Sequence, residues 1–102
     1  MVKFIFQLFR EYARSRQVGY YADKQNLSSN HFTRIIKKVS HRTPSEWIAI
    51  VTINQAKKLL QQNGLTIKEV AQKLNFLEQF TFRKYFKLYV GISPKEYRAK
   101  FM

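Results

Sequence analysis

The chain has 102 residues, 45% of them hydrophobic, enough for one modest domain or two very small subdomains that share an element. Lys and Arg number 19 against 6 Asp and Glu, and the resulting net charge of +13 points to a polyanionic partner. With no cysteine and only His31 and His41, a disulfide frame and a thiolate metal site are excluded, no cofactor is expected, and neither a membrane span of roughly 20 apolar residues nor a signal peptide is present, so an intracellular protein is expected.

From Val2 to about Ser15 the apolar residues Phe4, Ile5, Leu8, Phe9, Tyr12 and Ala13 recur every three or four positions, the spacing of an amphipathic helix. A short helical pattern, YYADKQN, follows Gly19. Next comes LSSNHFTRIIKKVS, in which Leu27, Phe32, Ile35, Ile36 and Val39 stand at core spacing and Ser28 or Ser29 can cap. Two short helices around a tight turn are predicted here. His41, in the turn that follows, is expected to be solvated or capping.

The stretch from Thr43 to Gly64 reads as one long helix. Thr43 caps it, Pro44 suits its first position, Glu46 closes a capping box, and Gly64 stops it. Its first half is apolar around most of its circumference, so protein is expected on more than one side. Beyond it, Thr66-Ile67-Lys68-Glu69 opens another helix with Ile67, Val70, Ala71 and Leu74 inward. A turn at Asn75-Phe76 leads to a helix with Phe82, Tyr85, Phe86 and Tyr89 or Val90 inward, and Ser93-Pro94-Lys95-Glu96 starts the last helix.

The two ends of the chain repeat each other. Pro94 minus Pro44 is 50, and the same offset pairs Leu27 with Leu77, Phe32 with Phe82, Arg34 with Lys84, Lys37 with Lys87 and Glu46 with Glu96. Upstream of the turn the offset is 49, pairing Ala22 with Ala71. The expected architecture is all-α, two helix-turn-helix subdomains (residues 1–42 and 65–102) joined by a long linker helix (residues 43–64).

A helix-turn-helix unit places its second helix in the major groove of DNA. Asn can pair with adenine, Arg with guanine, and a Thr methyl can meet that of thymine. The expected base-reading set is therefore Asn30, Thr33 and Arg34 in the first copy and Gln79, Phe80, Thr81 and Lys84 in the second. Ser28, Ser29, His31, Lys37, Thr43, Arg83, Lys87 and Ser93 are expected to hold phosphates. A linker of about 19 residues would be roughly 28 Å long, close to the roughly 34 Å between successive major grooves. That spacing suits double-stranded DNA read in adjacent grooves, with some bending. A basic helical module for RNA, anionic membrane or an acidic protein is the alternative. Most of the aromatics stand at core spacing. No paired carboxylates, metal cluster or Gly-rich phosphate loop supports an enzyme, and His31 has no catalytic partner arranged around it.

The run LNFLEQFTFRKYFKLYVGISPKEYR closely resembles the signature of the AraC/XylS family of bacterial transcription regulators, through Phe76, Phe82, Phe86, Lys87, Gly91, Ser93, Pro94, Tyr97 and Arg98. VGYYADKQNLSSNHFTRIIKKVS and WIAIVTINQAKKLL resemble the family's first helix-turn-helix and linker. The resemblance implies a unit of seven helices that puts its third and sixth into successive major grooves. It also implies a cytoplasmic, nucleoid-associated regulator, with a separate N-terminal sensing or dimerisation domain and RNA polymerase as further partners. The chain is then expected to be the C-terminal piece of a longer protein. Asn75 replaces the family's usual turn Gly, Phe80 its common Ser, Lys84 its common Arg, and Thr52 an Arg that many members carry on the linker helix.

Overall fold

A computed structural model of the protein describes residues 1–62 and 64–101, and the described residues form seven helices and no strand. In chain order these are α1 (Val2–Glu11), α2 (Val18–Lys24), α3 (Ser29–Ser40), α4 (Pro44–Leu60), α5 (Ile67–Lys73), α6 (Gln79–Val90) and α7 (Pro94–Ala99). Ser28 Oγ accepts the His31 amide at the start of α3. At α4, α5 and α7 the bonding is reciprocal: Thr43, Thr66 and Ser93 each accept the amide three residues on, and Glu46, Glu69 and Glu96 accept the capping residue's amide in return. Each pairing satisfies two amide donors that a helix start leaves free.

The chain divides into two units, Met1–Val51 and Thr52–Met102, with the division falling inside α4. In the first unit Phe4 and Leu8 of α1, Tyr21 and Ala22 of α2, Phe32 and Ile36 of α3, and Ile48 and Val51 of α4 form one core. Phe4 is its centre, edge-on to Tyr21 (5.6 Å between centroids) and to Phe32 (5.1 Å), a favoured aromatic geometry. The Trp47 indole donates to Ser40 Oγ at 2.8 Å, tying the start of α4 to the end of α3.

In the second unit Val70, Ala71, Leu74, Phe76, Phe82 and Phe86 are buried along with Ala56 and Leu60 of α4. Phe76 meets Phe82 edge-on at 5.2 Å, and Phe86 meets Tyr97 at 5.6 Å. Arg98 Nε donates to the Leu60 carbonyl at 2.8 Å.

Two helices end earlier than their sequence patterns do. α4 stops at Leu60 rather than running on toward Gly64, because Arg98 satisfies a carbonyl at that end and the chain turns through Gln61 and Gln62. Asn63, within the linker expected over residues 43–64, lies outside the described residues. α1 stops at Glu11 rather than near Ser15, where the Tyr21 hydroxyl lies within hydrogen-bonding distance of the Glu11 and Ser15 carbonyls (3.1 and 2.8 Å). Burial, with Glu11 and Tyr20 nearby, pushes the Tyr21 hydroxyl's pKa up to about 12.

Several apolar residues expected inside are not. Phe9 is 56% exposed and Val39 59%, and Ile35 and Tyr89 are also exposed, each at the edge of a stripe whose centre alone meets a neighbouring helix. The turn also corrects the repeat. Leu77, paired by sequence with Leu27, is 98% exposed, whereas Leu27 packs against the first core. The Leu27 and Phe76 amides bond the Ala22 and Ala71 carbonyls identically, at 3.0 and 2.9 Å, so the offset of 49 persists through Phe76 and Leu77 is the inserted residue.

Candidate nucleic-acid interface

Burying Phe32 and Ile36 turns the opposite side of α3 to solvent. Ser28, Ser29, Asn30, His31, Arg34 and Lys37 are exposed there and Thr33 is half-buried. Burying Phe82 and Phe86 does the same for α6, leaving Phe80, Thr81, Arg83, Lys84 and Lys87 exposed and Gln79 half-buried. The helices thus present Asn30 and Arg34 on one unit, and Phe80, Thr81 and Lys84 on the other, in the first turns where helix-turn-helix units meet base edges. Neither α3 nor α6 carries a carboxylate, so Arg34, Lys37, Lys38, Arg83, Lys84 and Lys87 stand on helices with no acid of their own; Glu78 sits at the cap of α6, and Glu46 and Glu96 lie close enough to feel Lys37 and Lys87.

Thr43 and Ser93 are half-buried and already accept amides in their capping boxes. Bonds from the Thr43 and Thr66 amides hold the Glu46 and Glu69 carboxyls below their ordinary range; for Glu96 the Ser93 hydroxyl is the larger influence and the Ser93 amide the next.

One feature of the surface was not legible as a site in the sequence. Phe80, Thr81, Lys84, Tyr85 and Leu88 line a shallow hollow of about 410 Å³ on the second unit. Leu88 stands eight residues after Phe80 and is 76% exposed, a spacing that periodicity could have marked. Among the described residues no group of His, Cys, Asp or Glu is placed to hold a metal, and no helix is long and apolar enough to cross a membrane.

Two helix-turn-helix units, each exposing a cationic second helix, define a DNA-binding domain. A family model described as a helix-turn-helix domain matches residues 21–100. The chain belongs to the AraC/XylS-type helix-turn-helix family, and the domain it forms is one for sequence-specific DNA binding. It is 32% identical over 90 residues to the Msm operon regulatory protein of Streptococcus mutans, a match that takes in 88% of this chain and 32% of that protein, so the chain spans about a third of that relative's length. Its fold is similar to that of the DNA-binding domain of AdpA, a global transcriptional factor crystallised with a target DNA (TM-score 0.86, 23% identity, 98% of this chain and 90% of that one). It is also similar to the C-terminal domain of the two-component response regulator yesN of Fusobacterium nucleatum (TM-score 0.83, 26% identity, 94% and 95%).

Proposed function

We propose that α3 and α6 enter successive major grooves of one duplex. Asn30, Thr33 and Arg34 read bases from α3, and Gln79, Phe80, Thr81 and Lys84 read them from α6. Ser28, Ser29, His31, Lys37, Thr43, Arg83, Lys87 and Ser93 hold the phosphates. On this reading residues 1–42 and 65–102 are the two DNA-engaging parts and residues 43–64 the linker. What carries it is the pair of exposed helices that bear cations and no carboxylate; a polyanion is the partner such faces attract. The crystal of the AdpA domain with its target DNA supports a duplex as that polyanion.

The share of the Streptococcus mutans relative left unmatched supports a longer regulator, in which a separate N-terminal domain senses a signal or dimerises and RNA polymerase is the downstream partner. Such a protein works in the cytoplasm, at the nucleoid. Selection from a random duplex pool, followed by hydroxyl-radical footprinting, tests the DNA reading. The expected result is an enriched motif with two protected segments about 10 bp apart. A pool that stays random, or protection of one segment only, rejects it.

A further inference from the structure

Phe80 is 65% exposed in the first turn of a helix whose other exposed residues include Thr81, Arg83, Lys84 and Lys87. Its ring has no hydrogen-bonding atom, so it can contribute nothing to the donor and acceptor pattern of a base edge. Yet it does not stand alone. Lys84 Nζ lies 5.2 Å from the ring centroid, holding a cation against one face, and Thr81, Tyr85 and Leu88 complete a hollow around it. The first unit is different: an offset of 50 puts Asn30, Arg34 and Lys38 where the second has Phe80, Lys84 and Leu88. One recognition helix is equipped for hydrogen bonds and the other for an apolar contact.

In the major groove a base pair shows just one apolar group, the 5-methyl of thymine. We propose that Phe80, backed by Lys84 and flanked by Thr81, makes the second unit a reader of thymine methyl groups. Its half of the DNA site is then chosen for thymine itself rather than for A·T pairing. This inference rests on α6 being a DNA-reading helix. The exposed cations of the same helix, Arg83, Lys84 and Lys87, suit the phosphates that border such a groove.

The test uses the full chain on a site taken from random-pool selection. Each thymine is replaced in turn by deoxyuridine, which keeps the pairing and removes only the methyl. Wild-type affinity is expected to fall about fourfold at one or more thymines in the half of the site that α6 covers. In Phe80→Ala the same replacements are expected to cost nothing, in Phe80→Leu to keep part of their effect, and in Arg34→Ala to keep all of it. Because Phe80 is exposed, the variants should melt as the wild type does. Indifference of the wild type to every replacement overturns the proposal, as does an unchanged sensitivity in Phe80→Ala; either result leaves DNA reading intact. Failure to enrich any site overturns the DNA reading and this proposal together.

Discussion

Asn26 and Asn75 hold the same left-handed backbone, φ 57° and 62°, each one residue beyond the C-cap of a short helix. Around both, two amides close back on the helix: Asn26 and Leu27 onto the Asp23 and Ala22 carbonyls, Asn75 and Phe76 onto the Gln72 and Ala71 carbonyls, all at 2.9–3.0 Å. This is the double bond pattern that lets a helix stop and reverse. Left-handed angles cost an ordinary L-residue roughly 1 to 2 kcal/mol, less for Asn and nothing for Gly. Asn75→Ala should therefore lose about 1 kcal/mol in urea unfolding, while Asn75→Gly should stay within about 0.5 kcal/mol of wild type. Equal losses for the two would mean that the Asn side chain, not the backbone angle, matters at the turn.

Three glutamates tie the protein's stability to acid. Glu46, Glu69 and Glu96 each have a folded-state pKa below the ordinary 4.5, because capping amides and hydroxyls donate to their carboxylates. A group with a depressed pKa stabilises the fold above its unfolded value, and that contribution is lost as pH falls through the folded one. Thermal midpoints should thus decline as pH falls below the carboxyls' ordinary 4.5 and on through their lowered folded-state pKa. The triple variant Glu46→Gln, Glu69→Gln, Glu96→Gln should start lower at neutral pH and converge with wild type in acid; parallel curves would contradict the assignment. Independently, Thr66→Ala should cost about 1 kcal/mol at neutral pH through loss of the cap.

Thr52 presents the opposite case, a polar group with nothing to bond. It is buried on α4, and its hydroxyl has no hydrogen-bond partner among the described residues. Leaving such a hydroxyl unsatisfied costs about 1 to 3 kcal/mol, and valine has almost the same shape. Thr52→Val is expected to raise stability by about 1 kcal/mol, a rise of roughly 4 to 8 °C in the melting midpoint of a chain this size. A lower midpoint would show that the hydroxyl finds a partner in solution.

Helix starts and core centres were legible because each depends on a few neighbouring residues. Thr43 with Glu46, Thr66 with Glu69, and Ser93 with Glu96 write their caps in four letters, and Phe32, Ile36, Phe82 and Phe86 mark stripe centres at helical spacing. What escaped depends on partners distant in sequence. The end of α4 is set by Arg98, 38 residues on, and the exposure of Phe9 and Val39 by how wide a stripe the neighbouring helices cover. His41 takes the same left-handed role as Gly91, φ 63° against 93°, with each amide bonded at 2.8 Å to the carbonyl of Lys37 or Lys87. A histidine advertises that angle only weakly. The exposed faces of α3 and α6 follow from their buried ones, but Phe80 as a ring packed by Lys84 needed coordinates.

Variants of Arg34 and Lys87 test the two kinds of DNA contact proposed above. Both residues are exposed on cationic helices, but Arg34 lies in the first half of α3, the half proposed to read bases, whereas Lys87 lies in the last turn of α6. A guanidinium can bond two acceptors of guanine at once, so its removal is felt most on the sequence that offers them. An ammonium at a phosphate releases a counterion whatever the base. Arg34→Ala should therefore cost roughly 1 to 3 kcal/mol on the selected site and far less on random DNA, relaxing choice at particular positions. Lys87→Ala should weaken both DNAs alike and flatten the dependence of log affinity on log salt by about one unit. Titrations of both variants on selected and random duplexes at several salt concentrations decide it. Equal losses for Arg34→Ala on the two DNAs would reassign that residue to the backbone, and an unchanged salt slope for Lys87→Ala would remove it from the interface.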